Sequence, residues 1–513
     1  MADHSPTASD GIDYARLRLV FAAVCCVLFL ASMGQTVVTT ALPTIVGELG
    51  GLDQITWVIT AYLLAATIGA PVFGKLGDLY GRKIVLQSGI GVFLTGSVIC
   101  AMAGSLGILV LGRAVQGFGG GGLIVVSMAT VADFVPPRQR GRFQGYLGGV
   151  FGLSTVIGPL AGGFVVEHFS WEWIFLANIP ISAIAFTVLA VVLESPAPKG
   201  KQGLDYPGAA LLAAVLSLAV MIASLGGNTV PWISATMLLM VLGAVLALAG
   251  FIAAEARSRE PILPLPLFRI NNFVVSNMVG FIIGTAMFGT ITFVPMFMQV
   301  VKGMSPGMSG LFVFPMMVGL IGASTASGQI MSRTGRYKFL PVGSTLLLGL
   351  AMTCMATVDA HTPNALIVLF VFCAGLGIGP VMGVGVTAIQ NAVPLTMVGI
   401  GTASANMFRL IGGSIGTALF GAIFATGLAR ELGSVAGQLG GMNPRSLTAQ
   451  AIAQMDPATQ ELVTEGIAGA LHPVFWIAAA MGCIASAVSL LLTEHPLQDR
   501  LPTAQGAQGA PAE

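Results

Sequence analysis

Ionisable residues are scarce in this 513-residue chain: Asp, Glu, Lys and Arg make up 8% of it, against 55% hydrophobic residues. A soluble protein carries about 25% charged residues. A chain this poor in charge cannot cover a water-facing surface of its own size, so lipid must be its solvent. The net charge of +1 comes with no basic patch and gives nucleic acid no footing. Cysteine is sparse. Cys25, Cys26, Cys100, Cys354, Cys373 and Cys483 lie in apolar runs without CxxC spacing, which reads as small buried hydrophobes and not as disulfides or metal ligands. The five histidines show no HExxH spacing, which argues against a membrane metalloprotease. The run Gly119–Gly122 is glycine-rich, but no GxxxxGK[ST] follows, so an ATP-driven pump is rejected. No metal or cofactor is called for, and no catalytic constellation marks an enzyme.

What the chain does have is long apolar runs. A span needs about 20 mainly apolar residues. Fourteen are read near 17–42, 55–76, 84–104, 107–132, 143–166, 172–193, 207–226, 232–254, 273–299, 308–331, 339–357, 364–387, 402–427 and 473–493. Each must be helical, because irregular backbone in hydrocarbon leaves costly unpaired N–H and C=O groups. The first run is too long for a signal-peptide core and lacks a cleavage site after it, so it counts as the first span. With the N-terminus in the cytoplasm, 17 of the 22 Lys and Arg residues fall inside; Lys302, Arg430 and Arg445 fall outside, and Arg113 and Arg409 lie within spans. That bias orients the chain with both termini cytoplasmic. The loop 428–470 is then external and reads as a modest helix or a flexible loop. The tail 494–513 reads as disordered.

Two loops repeat. After span 2 come Gly74, Asp78, Gly81, Arg82 and Lys83; after span 10 come Gly328, Arg333, Gly335, Arg336 and Lys338. In each, a seven-residue step joins two glycines, and Arg follows the second. Such a match predicts two six-helix halves related by an axis along the membrane normal. The expected plan is a cytoplasmic tail over 1–16, an N-terminal bundle over 17–193, a linker with two inserted helices over 194–272, and a C-terminal bundle over 273–493.

These loops also carry a resemblance. The segment Gly74–Lys83 resembles motif A of the major facilitator superfamily. Leu111 through Gly120, with Arg113, Gln116 and Gly117, resembles motif B. Gly148, Gly152, Gly158, Pro159, Gly162 and Gly163 resemble motif C, which exporters of the superfamily carry. Thr36 to Pro43, Trp57 to Tyr62, and Trp171 to Pro180 look like patterns of its 14-span drug:proton antiporter family. The likeness runs from span 1 to span 14 and implies a bacterial source. It implies a latch on the cytoplasmic side made by Gly74, Asp78, Gly81, Arg82, Lys83 and Asp133, with Arg333, Gly335 and Arg336 in the second half. Asp78 is an acid among basic residues, suited to pair with them or to face a helix N-terminus. Arg113 costs about 2.5–3.5 kcal/mol at a span centre, which points to function, and the resemblance to motif B implies a part in proton coupling; the alternative is that it snorkels to the outer surface. Arg409 reads the same way. Pro159 should kink span 5, and its glycines, four residues apart on one face, should let the halves pack closely and rock.

One departure stands out. Relatives carry an acid in span 1 where this chain has Gly34, and no other acid lies clearly mid-membrane. A proton antiporter needs a group that exchanges H⁺ between the two sides. The remaining coupling candidates are Asp133, the outer group Glu167, His168 and Glu172, and Arg113 with Gln116 or Arg409 acting on a neighbour. The cavity expected between the halves is lined by Gln35, Thr36, Thr39, Trp57, Tyr62, Gln116, Asn178, Phe293, Met296, Gln299, Gln390, Asn391 and Asn406. Without an acid it should prefer neutral or zwitterionic amphiphiles to dications. The function expected from these readings is proton-coupled export of amphipathic small molecules across the cell membrane. The alternatives are export of a specific metabolite, lipid or siderophore with weak coupling, and a non-transporting sensor. The partners expected are the bilayer, the substrate and protons, with any accessory efflux partner left open.

Overall fold

The computed structural model describes residues 14–49, 55–193, 205–226, 230–304, 306–433 and 457–494, and among these it is helical apart from turns and one isolated bridge. The fourteen spans are all present. They are α1 (Tyr14–Thr36), α2 (Ile55–Tyr80), α3 (Arg82–Ala101), α4 (Leu106–Phe134), α5 (Pro137–His168), α6 (Trp173–Val192), α7 (Tyr206–Leu225), α8 (Ala235–Arg257), α9 (Asn271–Val300), α10 (Met308–Thr334), α11 (Phe339–Met355), α12 (Asn364–Ala392), α13 (Val398–Gly433) and α14 (Pro457–Ser489). Thirteen are long and apolar enough to cross a bilayer; α11 is shorter but equally apolar. The chain is a multi-pass membrane protein. Its large apolar side chains point outward along α8, where Leu238 is 70% and Leu246 63% exposed. In water such a face would be a liability; in hydrocarbon it needs no cover.

Helices α1–α6 form one bundle and α9–α14 the other, with α7 and α8 inserted between them. The bundles meet along two seams, α2 on α13 and α5 on α10, and α7 packs beside the first seam against α2 and α13. The repeat seen in the sequence has a conformational cause. Gly81 closes the α2–α3 turn at φ 87° and Gly335 closes the α10–α11 turn at φ 71°, in the left-handed region that favours glycine. These two turns lie at the same end of the bundle, called here the basic end.

Three helices depart from the sequence reading. Chain read as the end of the first span leaves α1 after Thr36 and continues as a separate helix, Val38–Leu49. A π-helical turn, Val381–Gly385, interrupts α12. Pro473, read as the start of the last span, lies inside α14, which begins four turns earlier. A proline removes one hydrogen bond, and helix packing on both sides outweighs that loss. The loop 428–470 is therefore helical at both ends, while 434–456 and the tails 1–13 and 495–513 lie outside the described residues.

Candidate functional site

The two halves are tied at the basic end. The Asp78 carboxylate accepts from the backbone N–H groups of Gly399 (2.9 Å) and Ile400 (3.0 Å), in the first turn of α13. An anion at a helix N-terminus meets both unpaired donors and the positive end of the dipole. Arg82 holds the same carboxylate at 2.8 Å and binds Asp133 at 2.8 Å, so one buried guanidinium bridges two acids. The second seam mirrors this arrangement. Arg138, at the start of α5, donates to the carbonyls of Ser332 and Arg333 at 3.0 Å each. Between them Arg140 donates to Asn391 (2.9 Å) and Gln390 (3.3 Å), and Gln144 donates to Gln390 (3.3 Å).

At the opposite end, among the described residues, the side-chain contacts of Trp171 and Lys302 each stay within one half. Trp171 donates to Glu48 at 2.9 Å in the first half. In the second, Lys302 donates to the carbonyls of Ala360 and Thr362; burial pushes its ammonium below the usual lysine range, and the Thr362 hydroxyl holds the nearby Asp359 carboxyl below the usual carboxylate range. The halves are sealed at the basic end by bonds that cross between them.

Of the predicted latch, Gly74 touches Ala403 and the Gly399 carbonyl, Lys83 donates to the Ala190 carbonyl, and Asp133 pairs with Arg82. Arg333 and Arg336 are exposed, and Arg333 contributes its carbonyl and not its charge. Lys75, which sequence reasoning passed over, pairs with Glu260 at 2.7 Å and fastens α2 to the chain after α8. Its nearness to Gly74 was the available signal.

Motif C splits into two contacts. Gly145, Gly148 and Gly152 of α5 face Ser324 and Ile321 of α10, across the seam between halves. Gly158 and Gly162 face Thr36 and Val37 instead, within the first half, and Gly163 faces open space. The reading that all of them form the inter-half seam is corrected accordingly. The α5 register turns about 100° per residue, and the last glycines have rotated away from α10. At the seam, a Cβ on Gly145 would sit 2.5 Å from the Ser324 carbonyl oxygen and 3.2 Å from Thr325 Cα, both backbone atoms. Gly145→Val should therefore overpack the seam by about 1–3 kcal/mol. It should lower substrate counterflow at least tenfold at normal membrane abundance; wild-type counterflow from that variant would show that the seam need not close this tightly.

Arg113 does not snorkel. Its side chain is fully buried, donating to the Gly34 carbonyl (2.8 Å), to Gln116 Oε1 (2.6 Å) and to the Val58 carbonyl (3.3 Å), with the guanidinium 4.2 Å over the Tyr62 ring. Gln116 donates to Ser97 at 2.8 Å, and Asn178 reaches Ser97 at 3.4 Å. A buried cation thus joins α1, α2 and α4 through neutral acceptors. Arg409 is also buried. It lies against the Phe151 ring at 5.2 Å and bonds Met382 Sδ at 2.7 Å and Asn406 Oδ1.

The predicted cavity residues do not form one wall. Gln390 and Asn391 belong to the basic-end ties, Asn178 and Tyr62 to the Arg113 network, and Phe293 packs on Phe420 and Phe424 in the second-half core. Thr36 donates to the Ser154 carbonyl at 3.4 Å. Gln35, Trp57, Met296 and Gln299 are half-buried, and the Thr39 side chain lies outside the described residues. Asn406 lines a small cavity beside Arg409. Among the coupling candidates, Glu167 is exposed, His168 stacks on Phe164, and Glu172 is half-buried, so the structure does not gather them into one hydrogen-bonded group.

Two helical bundles tied together at one end, with buried cations in their interior, define a membrane transporter. Residues 24–417 match the Major Facilitator Superfamily, and the chain belongs to that family: it is a transporter, not an enzyme. It is similar to an uncharacterised MFS-type transporter of Mycobacterium tuberculosis, 39% identical over 94% of this chain and 70% of that one. The multidrug transporter protein MdtP of Bacillus subtilis is 33% identical over 95% of both chains. Among solved structures, the human organic anion transporter MFSD10 superposes with a TM-score of 0.63 at 15% identity, covering 92% of this chain and 99% of that one. The proton:xylose symporter XylE follows with a TM-score of 0.62 at 14% identity, covering 93% and 95%. At such identities these two share the fold alone.

Proposed function

We propose that this chain exports amphipathic small molecules across the cell membrane by alternating access, driven by the proton gradient, with the basic end and both termini in the cytoplasm. The observation that carries the reading is the Asp78–Arg82–Asp133 cluster seated on the first turn of α13. Within it, the Asp78 carboxylate accepts from the Gly399 and Ile400 N–H groups of the other half, so relative tilting of the halves breaks those bonds, while Arg82, itself paired with Asp133, holds the carboxylate from its own half. The Lys and Arg bias supports the orientation. Full-length similarity to MdtP supports export of drug-like compounds.

Gly34 favours a second reading, export of a specific metabolite, lipid or siderophore with weak or different coupling. The acid that would exchange protons in α1 is missing, and Arg113 bonds the backbone carbonyl of residue 34 instead. Purified protein in liposomes with an imposed pH gradient separates the two. A broad substrate panel should show uptake that rises at least threefold with the gradient. Counterflow without gradient dependence would favour the second reading, and no counterflow with any compound would end both.

A further inference from the structure

Arg409 lies eleven residues into α13, about 16 Å along the helix and so near the middle of a bilayer. A guanidinium there needs a counter-charge, and its partners are all neutral: a thioether, an amide oxygen and a phenyl ring. A thioether is a weak acceptor. Three further donor-bearing atoms nearby are buried without a partner, namely Arg409 Nε, Asn406 Nδ2 and Ser276 Oγ. All three residues are more than nine-tenths buried, and all line one cavity of about 20 Å³, enough for a water-sized group. Buried polar groups are seldom left unbonded. Three on one cavity, with a cation and no acid among the lining residues, aim donors at a space that an anionic acceptor would fit.

The surroundings suit an amphiphile. Met382 and Gly385 of the π-helical turn in α12 line the same cavity, and such turns recur at functional sites. A Cβ on Gly280 would meet nothing nearer than 3.8 Å, so space adjoins the donors. Met128 of α4 and the Phe151 ring over Arg409 come from the other half, so tilting of the halves would uncover the site.

We propose that Arg409, Asn406 and Ser276 form a subsite for the carboxylate, or a like monoanionic head, of an amphipathic substrate. The inference rests on the exporter reading and names its substrate class. The three donors bind the head while the apolar wall takes the first carbons of the tail.

The test uses the purified full chain in phosphatidylcholine liposomes and three dansyl probes on one undecyl tail, ending in a carboxylate, a primary amide or an amine. Binding is read from dansyl fluorescence and transport from counterflow. The carboxylate should bind at least tenfold tighter than the amide, and Ser276→Ala, which removes an unbonded hydroxyl without disturbing packing, should weaken only the carboxylate, about fivefold. Asn406→Asp gives Arg409 an internal counter-ion; it should fold, lose the carboxylate preference and keep the amide. Equal binding of the three heads, or a carboxylate preference that survives Asn406→Asp, would overturn the proposal. So would competition by phosphatidylglycerol that Asn406→Asp removes, since a lipid phosphate would then be the occupant. Counterflow of all three probes without head preference would leave the exporter reading standing, whereas head-selective binding without counterflow would overturn export and keep the subsite.

Discussion

Asp78→Asn should cut transport at least tenfold while leaving the protein at normal abundance in the membrane. The amide still fits between Gly399 and Ile400, but one of its two terminal atoms is now a donor facing donors. The substitution removes a charge-assisted bond at the α13 N-terminus, worth about 1.5–3 kcal/mol, and one of the two carboxylates that hold Arg82. Asp133 still pairs with Arg82, so the first half keeps its fold. What weakens is the tie across α2 and α13. A loss of about 2.7 kcal/mol shifts an equilibrium a hundredfold, enough to empty a state sealed at the basic end. Accessibility of a cysteine placed at Ser332 measures the shift directly: alkylation from the basic side should quicken in the variant. Unchanged transport and unchanged labelling would show that the cluster only holds charge on one side of the membrane. Asp78→Glu should recover little, because its extra methylene must fit where Gly74 and Gly399 leave none.

The parts legible in the sequence were those written in composition and in short-range spacing. Charge scarcity and apolar runs give fourteen spans, and a repeated glycine step gives two halves, because both follow from the lipid solvent and from local backbone geometry. Asp78 could be flagged, since an acid in a basic turn is locally odd. Its partners could not: Gly399 and Ile400 are more than 300 positions away, and backbone N–H groups leave no mark in a sequence. The same holds for Arg138, whose acceptors are two carbonyls. Amides were read as cavity-lining by residue type. Yet Gln390 and Asn391 serve the inter-half ties while Asn406 lines a cavity, and only the rotation of α12 and α13 decides between these fates. The split of motif C is a matter of register too. Spacing of four marks one helix face, but it does not say which neighbour that face meets over eight turns.

The absent acid of α1 yields the second large effect. A Cβ at residue 34 would sit 2.9 Å from Cζ and 3.1 Å from Cε2 of Phe93, with the Tyr62 hydroxyl at 3.7 Å. Phe93 thus occupies the space an aspartate would need, and Arg113 has turned to the Gly34 carbonyl. Gly34→Asp alone should destabilise the first half by about 1–3 kcal/mol through overpacking. Gly34→Asp with Phe93→Ala clears the ring and sets a carboxylate within the Arg113–Tyr62 group, where it supplies the counter-charge that the three neutral acceptors do not. The double variant gains a mid-membrane group able to take up a proton when tilting of the halves parts it from Arg113. In liposomes its uptake should therefore depend on the pH gradient at least threefold more steeply than that of the parent, with counterflow in the absence of a gradient retained. A gradient response equal to that of Phe93→Ala alone would show that residue 34 has no part in coupling, and that the proton route in this chain runs elsewhere.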